Sequence, residues 1–176
     1  GGDEGYEFGK CPACKTLIEK RGCNGLYFDY LDTVAAPLFQ AGIRPGVWSD
    51  MILRHPLELR VLPQEIRRYV LWDYCRSASS ARVVVRSNGK HLSPDKITPD
   101  VLHLYPEILN SDGSLNPFYS VEFLKHQGFD VIPCSSSRSA GDPVYCGTPR
   151  HMENIIDTAQ CAVRNHCPAH CVTSWA

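Results

Sequence analysis

Apolar residues recur along this chain in two rhythms. At 68–74 (Arg-Tyr-Val-Leu-Trp-Asp-Tyr) and at 129–134 they form short, nearly continuous runs. Runs of that length suit strands covered on both faces. Beyond Thr148-Pro149, Met152, Ile155, Ile156, Ala159 and Val163 recur at helical spacing, which predicts the buried face of an amphipathic helix. Two further stretches, 43–51 and 169–175, are short and β-biased.

Punctuation between these runs predicts more helices. Residues 10–20 read as one or two helical turns. Asn24 is placed to cap a helix that runs to about Ala41 and stops at Gly42, with Pro37 expected to kink it or shift its end. A brief helix is expected over 56–61, with His55 as its cap rather than as a base. Asn116-Pro117 opens another helix, to Gln127, which Gly128 ends. Strands separated by helices imply crossover connections and a parallel sheet. A doubly wound sheet and a barrel both satisfy that order. Trp48, Asp50, Trp72, Asp73, Ser135 and Trp175 all fall at the C-terminal ends of their strands, where barrel enzymes build their sites.

The stretch 76–115 interrupts the alternation. It reads as a hairpin over 82–91 turning at Ser87-Asn88-Gly89, then two helix starts at Ser93-Pro94 and Thr98-Pro99. An insertion there either walls the pocket or decorates the surface.

Composition narrows the function classes. The chain has 176 residues, 43% hydrophobic and 21% charged, with a formal net charge of −1. One folded domain is expected, and wholesale disorder is excluded. Near-neutrality removes the electrostatic case for a nucleic-acid partner. No apolar run approaches the roughly 18 residues that span a bilayer, so no membrane partner is expected. Nine cysteines, at 11, 14, 23, 75, 134, 146, 161, 167 and 171, cannot all pair within the chain. Cys11-Pro-Ala-Cys14 has metal-like spacing without a second such pair, and Cys161, His166, Cys167, His170 and Cys171 form a looser set. The expected state is free thiols, which leans towards a reducing, cytoplasmic compartment, with no metal and no other cofactor. The chain opens on Gly-Gly-Asp-Glu without a methionine and stops inside an apparent strand, so both ends read as cut. Localisation is therefore not legible.

Asp3 and Glu4 are adjacent acids after two glycines. By themselves they fit either a solvated turn or a shared pocket. The ordered set Gly-Gly-Asp3-Glu4, Gly46-Val-Trp-Ser-Asp-Met51, His55-Pro56, Leu62-Pro63, Leu71-Trp-Asp-Tyr74 and Thr173-Ser-Trp175 resembles the family 20 glycoside hydrolases. It is most similar to their single-domain bacterial and hexosaminidase D-like branch. The resemblance implies a partial (β/α)₈ TIM barrel over 1–176, from the end of strand four through strand eight, with the 76–115 insertion between strands six and seven. It also implies that the N-terminal half of the barrel is missing from this chain.

The activity implied is that of a retaining, substrate-assisted exo-β-N-acetylhexosaminidase acting on glycans that carry terminal N-acetylhexosamine. Glu4 would be the general acid and then the base, its pKa raised by burial and by its acidic neighbour. Asp3 would orient the substrate's acetamido group, which supplies the attacking oxygen. Trp48, Trp72 and Trp175, all the tryptophans of the chain, would wall the sugar, and Asp50 and Asp73 would bind hydroxyls. One departure stands out. Family members carry Tyr-x-Asp after the seventh strand, whereas this chain has Cys134-Ser-Ser-Ser137. The segment alone is expected to be inactive. The alternatives are a sugar-binding barrel relative without turnover and a small zinc-binding module at Cys11 and Cys14.

Overall fold

A computed structural model describes residues 5, 7–138 and 149–174. Among the described residues six strands form: β1 (Gly46–Trp48), β2 (Val70–Tyr74), β3 (Val83–Val85), β4 (Lys90–Leu92), β5 (Asp130–Arg138) and β6 (Cys171–Ser174). Four of them make one sheet in the order β1-β2-β5-β6, every pair parallel. The strands follow chain order without the reversal that a doubly wound sheet shows at its switch point. The fold is mixed α/β around a four-stranded parallel sheet with half-barrel order. β3 and β4 form a separate antiparallel hairpin, with Gly89 at φ +70° in its turn, as the Asn88-Gly89 pair requires.

Burial alternates along β2. Leu71 and Asp73 are buried on one face, whereas Val70, Trp72 and Tyr74 on the other are half-buried. Helices cover the first face. Helix α1 (Pro12–Gln40) is broken at Gly22, whose φ of +74° ends one helical segment and starts the next. This is the break expected between 20 and 24. Past it, Tyr27, Phe28, Leu31 and Ala35 turn inward, and the Phe28 ring packs on Tyr69 and Phe129 at 5.6 and 6.3 Å. The helix continues through Pro37, and the Ala41 N–H closes on the Pro37 carbonyl at 3.1 Å.

Two expected caps are corrected. The Asn24 side-chain amide donates to the carbonyls of Ile52 (3.1 Å) and His55 (2.9 Å). Its backbone N–H donates to Glu58 Oε2 at 2.7 Å, so a carboxylate from a distant segment takes the helix-start position. The His55 side chain makes no capping bond to the 3₁₀ turn Pro56–Arg60.

In the insertion, Thr98 Oγ1 accepts from Val101 N at the start of α2 (Pro99–Leu104). Asn116 Oδ1 accepts from Phe118 N at 2.9 Å, shaping the turn before α3 (Tyr119–His126), which begins two residues beyond Pro117.

Helix α4 (Pro149–Arg164) packs on β5 with a face rotated from the expected stripe, of which Ile155 and Ala159 stay half-buried. Met152, Ile156 and Val163 are 52%, 49% and 76% exposed, while His151, Thr158, Cys161 and Ala162 are buried. Polar bonds explain the rotation. His151 Nδ1 lies 2.7 Å from the Ser136 carbonyl oxygen, and Asn154 bridges Ser136 N (3.0 Å) and the Cys75 carbonyl (3.1 Å). Among the described residues no helix is long and apolar enough to cross a membrane.

Candidate functional site

The C-terminal ends of β1 and β2 carry an aromatic cluster. Trp48 and Trp72 are register partners on adjacent strands, and Tyr74 lies two residues further along on the same face. The indoles meet edge-to-face at 5.3 Å and 89°, while Trp48 stacks on Tyr74 at 4.5 Å and 13°. Gly46 makes this possible. A Cβ there would lie 2.8 Å from Trp72 Nε1, so only glycine lets the Trp72 ring cross the β1 backbone. Beside the rings is a cavity of about 190 Å³ whose lining adds Ser49, Asp50, Asp73 and Arg86.

Asp73 lies on the covered side of β2. Its carboxylate accepts from Ser49 Oγ at 2.5 Å and from Ser120 Oγ, and Arg86 Nη2 lies 3.3 Å from Oδ1. Arg86 also donates to the Tyr74 carbonyl, and its backbone N–H to Tyr119 Oη at 3.0 Å. Burial is the largest single influence and works against charge on this guanidinium, but the Asp73 carboxylate together with Tyr119, Cys75 and Tyr105 outweighs it and the pKa rises. Asp73 therefore holds Arg86 as well as bordering the cavity. Asp50 is half-buried at the cavity, its Oδ2 4.0 Å from Arg54 Nη2. Asp3, Glu4 and Trp175 lie outside the described residues.

Sequence reasoning did not single out Arg86 or Ser120. Arg86 follows the Val83–Val85 run, and its placement depends on how the hairpin folds back over β2. Ser120 sits on the buried face of α3, where a hydroxyl reads as incidental until the acid opposite is known.

Neither thiol set expected as a zinc alternative assembles a site among the described residues. The Cys14 thiol donates a hydrogen bond to the Cys11 sulfur at the start of α1, with no third ligand among the described residues. Cys161 is buried beside Cys75, Cys171 is the register partner of Cys134, and His170 Nε2 lies 2.8 Å from Ser135 Oγ. The described cysteines are all free. A larger groove of about 530 Å³, bordered by Pro94, Asn116, Glu122 and Arg164, shares no lining residue with the tryptophan cavity. Compared with known proteins, the chain matches no family model, and no curated protein or solved structure is significantly similar to it.

Proposed function

We propose that this chain is the C-terminal part of a glycoside hydrolase barrel of the family 20 type, a substrate-assisted exo-β-N-acetylhexosaminidase. The observation that carries the reading is the cavity at the ends of β1 and β2, where two indoles and a phenol stand beside Asp50 and the Asp73-bound Arg86. Aromatic faces suit the apolar faces of a pyranose and an acetamido methyl, and charged groups in the lining suit its hydroxyls. The strand order supports an arc of a barrel wall. So does the exposed Val172 of β6, the last strand of the described sheet, which offers apolar surface for further barrel to cover.

In this proposal Glu4 protonates the leaving oxygen and then activates water. Asp3 orients the acetamido oxygen that attacks the anomeric carbon, and Trp175 completes the wall. The test is hydrolysis of 4-nitrophenyl N-acetyl-β-glucosaminide by the full-length protein and its Glu4→Gln variant. Turnover that falls at least 100-fold in the variant supports the proposal. No hydrolysis, or an unaffected variant, overturns it. One observation favours a second reading, sugar binding without turnover. β5 continues through Cys134-Ser-Ser-Ser137 to Arg138 with no tyrosine where the family's Tyr-x-Asp would stand. Quenching of tryptophan fluorescence by N-acetylglucosamine without hydrolysis would select that reading.

A further inference from the structure

Cys23, on α1 just past the break at Gly22, faces His55 and Glu58 from the 3₁₀ segment after β1. One ligand atom from each lies within 4.8 Å of the others. We propose that these three side chains bind a zinc-type divalent ion that fastens α1 to the segment leaving β1. Several contacts already aim the ligands. Glu58 Oε2 is held by the Asn24 N–H at 2.7 Å, which leaves Oε1, 3.8 Å from His55 Nδ1, to face the site. The Asn24 amide fixes the His55 backbone through its carbonyl at 2.9 Å. Gly22 allows this close approach, since a Cβ there would meet Glu58 Oε2 at 2.6 Å.

A thiolate, an imidazole and a carboxylate select zinc over calcium or magnesium, which prefer all-oxygen shells. Bonds of about 2.0–2.3 Å in a tetrahedron bring ligand atoms to about 3–4 Å of one another, so closure takes side-chain rotation of about 1 Å. Zinc displaces the Cys23 proton to solvent as the sulfur–metal bond forms. One thiolate and one carboxylate then neutralise the ion. A cavity of about 60 Å³, lined by Cys23, Asn24, Tyr27, Met51, Arg54 and His55 among others, leaves room for a water as fourth ligand. Arg54, the cation in that lining, lies 4.0 Å from the Asp50 carboxylate.

Cobalt(II) is the probe, titrated into the metal-free full chain with Cys11 and Cys14 changed to serine to remove the exposed thiol pair. One equivalent should bind with a sulfur-to-cobalt band in the near ultraviolet. Cys23→Ser should abolish the band. His55→Gln should weaken binding by more than the roughly 10–100-fold that losing an outer hydrogen-bond partner brings. In the unaltered protein, zinc should slow alkylation of Cys23, read by peptide mass, which tests the site without any substitution. A band that survives Cys23→Ser, a band seen only when Cys11 and Cys14 are present, or equal alkylation of Cys23 with and without zinc overturns the site.

Discussion

The Trp48 ring lies flat against Tyr74, centroids 4.5 Å apart, although the two residues belong to different strands and are not register partners. Trp48 pairs in register with Trp72 and leans across it towards the C-terminal end of β2. One aromatic side chain thus ties the short edge strand β1 to the end of its neighbour.

Removing that ring tests how much the cluster holds. Trp48→Ala loses both ring contacts, each worth about 0.5–1.5 kcal/mol beyond burial. We expect a loss of about 1–3 kcal/mol in urea unfolding, with Trp48→Phe retaining most of it. If N-acetylglucosamine binds at this cavity, Trp48→Ala also abolishes its fluorescence response. Unchanged stability in Trp48→Ala would mean that the stack contributes nothing.

Asp73 and Arg86 form the charged underside of the same site. The Asp73 carboxylate is 2% exposed and the Arg86 side chain 23% exposed. Asp73→Ala strands a largely buried guanidinium and two serine hydroxyls, so it should cost about 3 kcal/mol or more. Arg86→Met in that background removes the stranded charge and should recover part of the loss. A double-mutant cycle by chemical denaturation measures the coupling. Strict additivity of the two changes would show that they do not act as a pair.

Gly22 sits at φ +74° and ψ 167°, a region that is essentially glycine's alone. Gly22→Ala adds about 1–3 kcal/mol of backbone strain and drives a methyl into the Glu58 carboxylate that caps Asn24. Gly42, at φ +72°, has open space where a Cβ would go. Gly42→Ala therefore isolates the backbone effect, at about 1–2 kcal/mol. Thermal unfolding of the two variants should show the larger fall for Gly22→Ala. Equal falls would mean that Glu58 moves aside freely.

The strands were legible because each is a compact apolar run bounded by polar or turn residues, as in Val70–Tyr74, and such runs between helical stretches leave few pairings other than parallel ones. The break in α1 was legible as the gap between the turns over 10–20 and the start placed at Asn24, although Gly22, which makes it, was not singled out. The packing side of α4 was not. Periodicity locates the stripe Met152, Ile156 and Val163 but cannot say what lies against it. The polar His151 and Asn154 won the sheet side through bonds to β5 that are invisible before β5 is placed. Arg86 escaped for a similar reason, since its partner Asp73 lies 13 positions earlier, across a turn and a hairpin strand. Asp73 shows the converse limit. Its position at a strand end was readable, but the face it takes, and the hydroxyls of Ser49 and Ser120 that occupy it, follow from the fold.

The cysteines differ in environment enough to be ranked by reactivity. Cys11 is exposed at the start of α1. The Cys14 thiol bonds to it, and the Cys14 backbone N–H donates to its sulfur at 3.2 Å, both lowering its pKa; the Cys14 thiol is raised in turn. Burial pushes Cys167 up to about 11 and raises Cys134 strongly. The thiolate is the reacting form, and a thiol of pKa about 11 is only about one part in a thousand ionised at pH 8. Iodoacetamide at pH 8 should therefore label Cys11 first, with a rate that levels off at a lower pH than for an ordinary thiol. Cys134 and Cys167 should label only after denaturation. Peptide mass mapping of a labelling time course between pH 7 and 9 reads the order, and labelling of Cys134 in step with Cys11 would show that the sheet end around β5 opens to solvent far more readily than its packing implies.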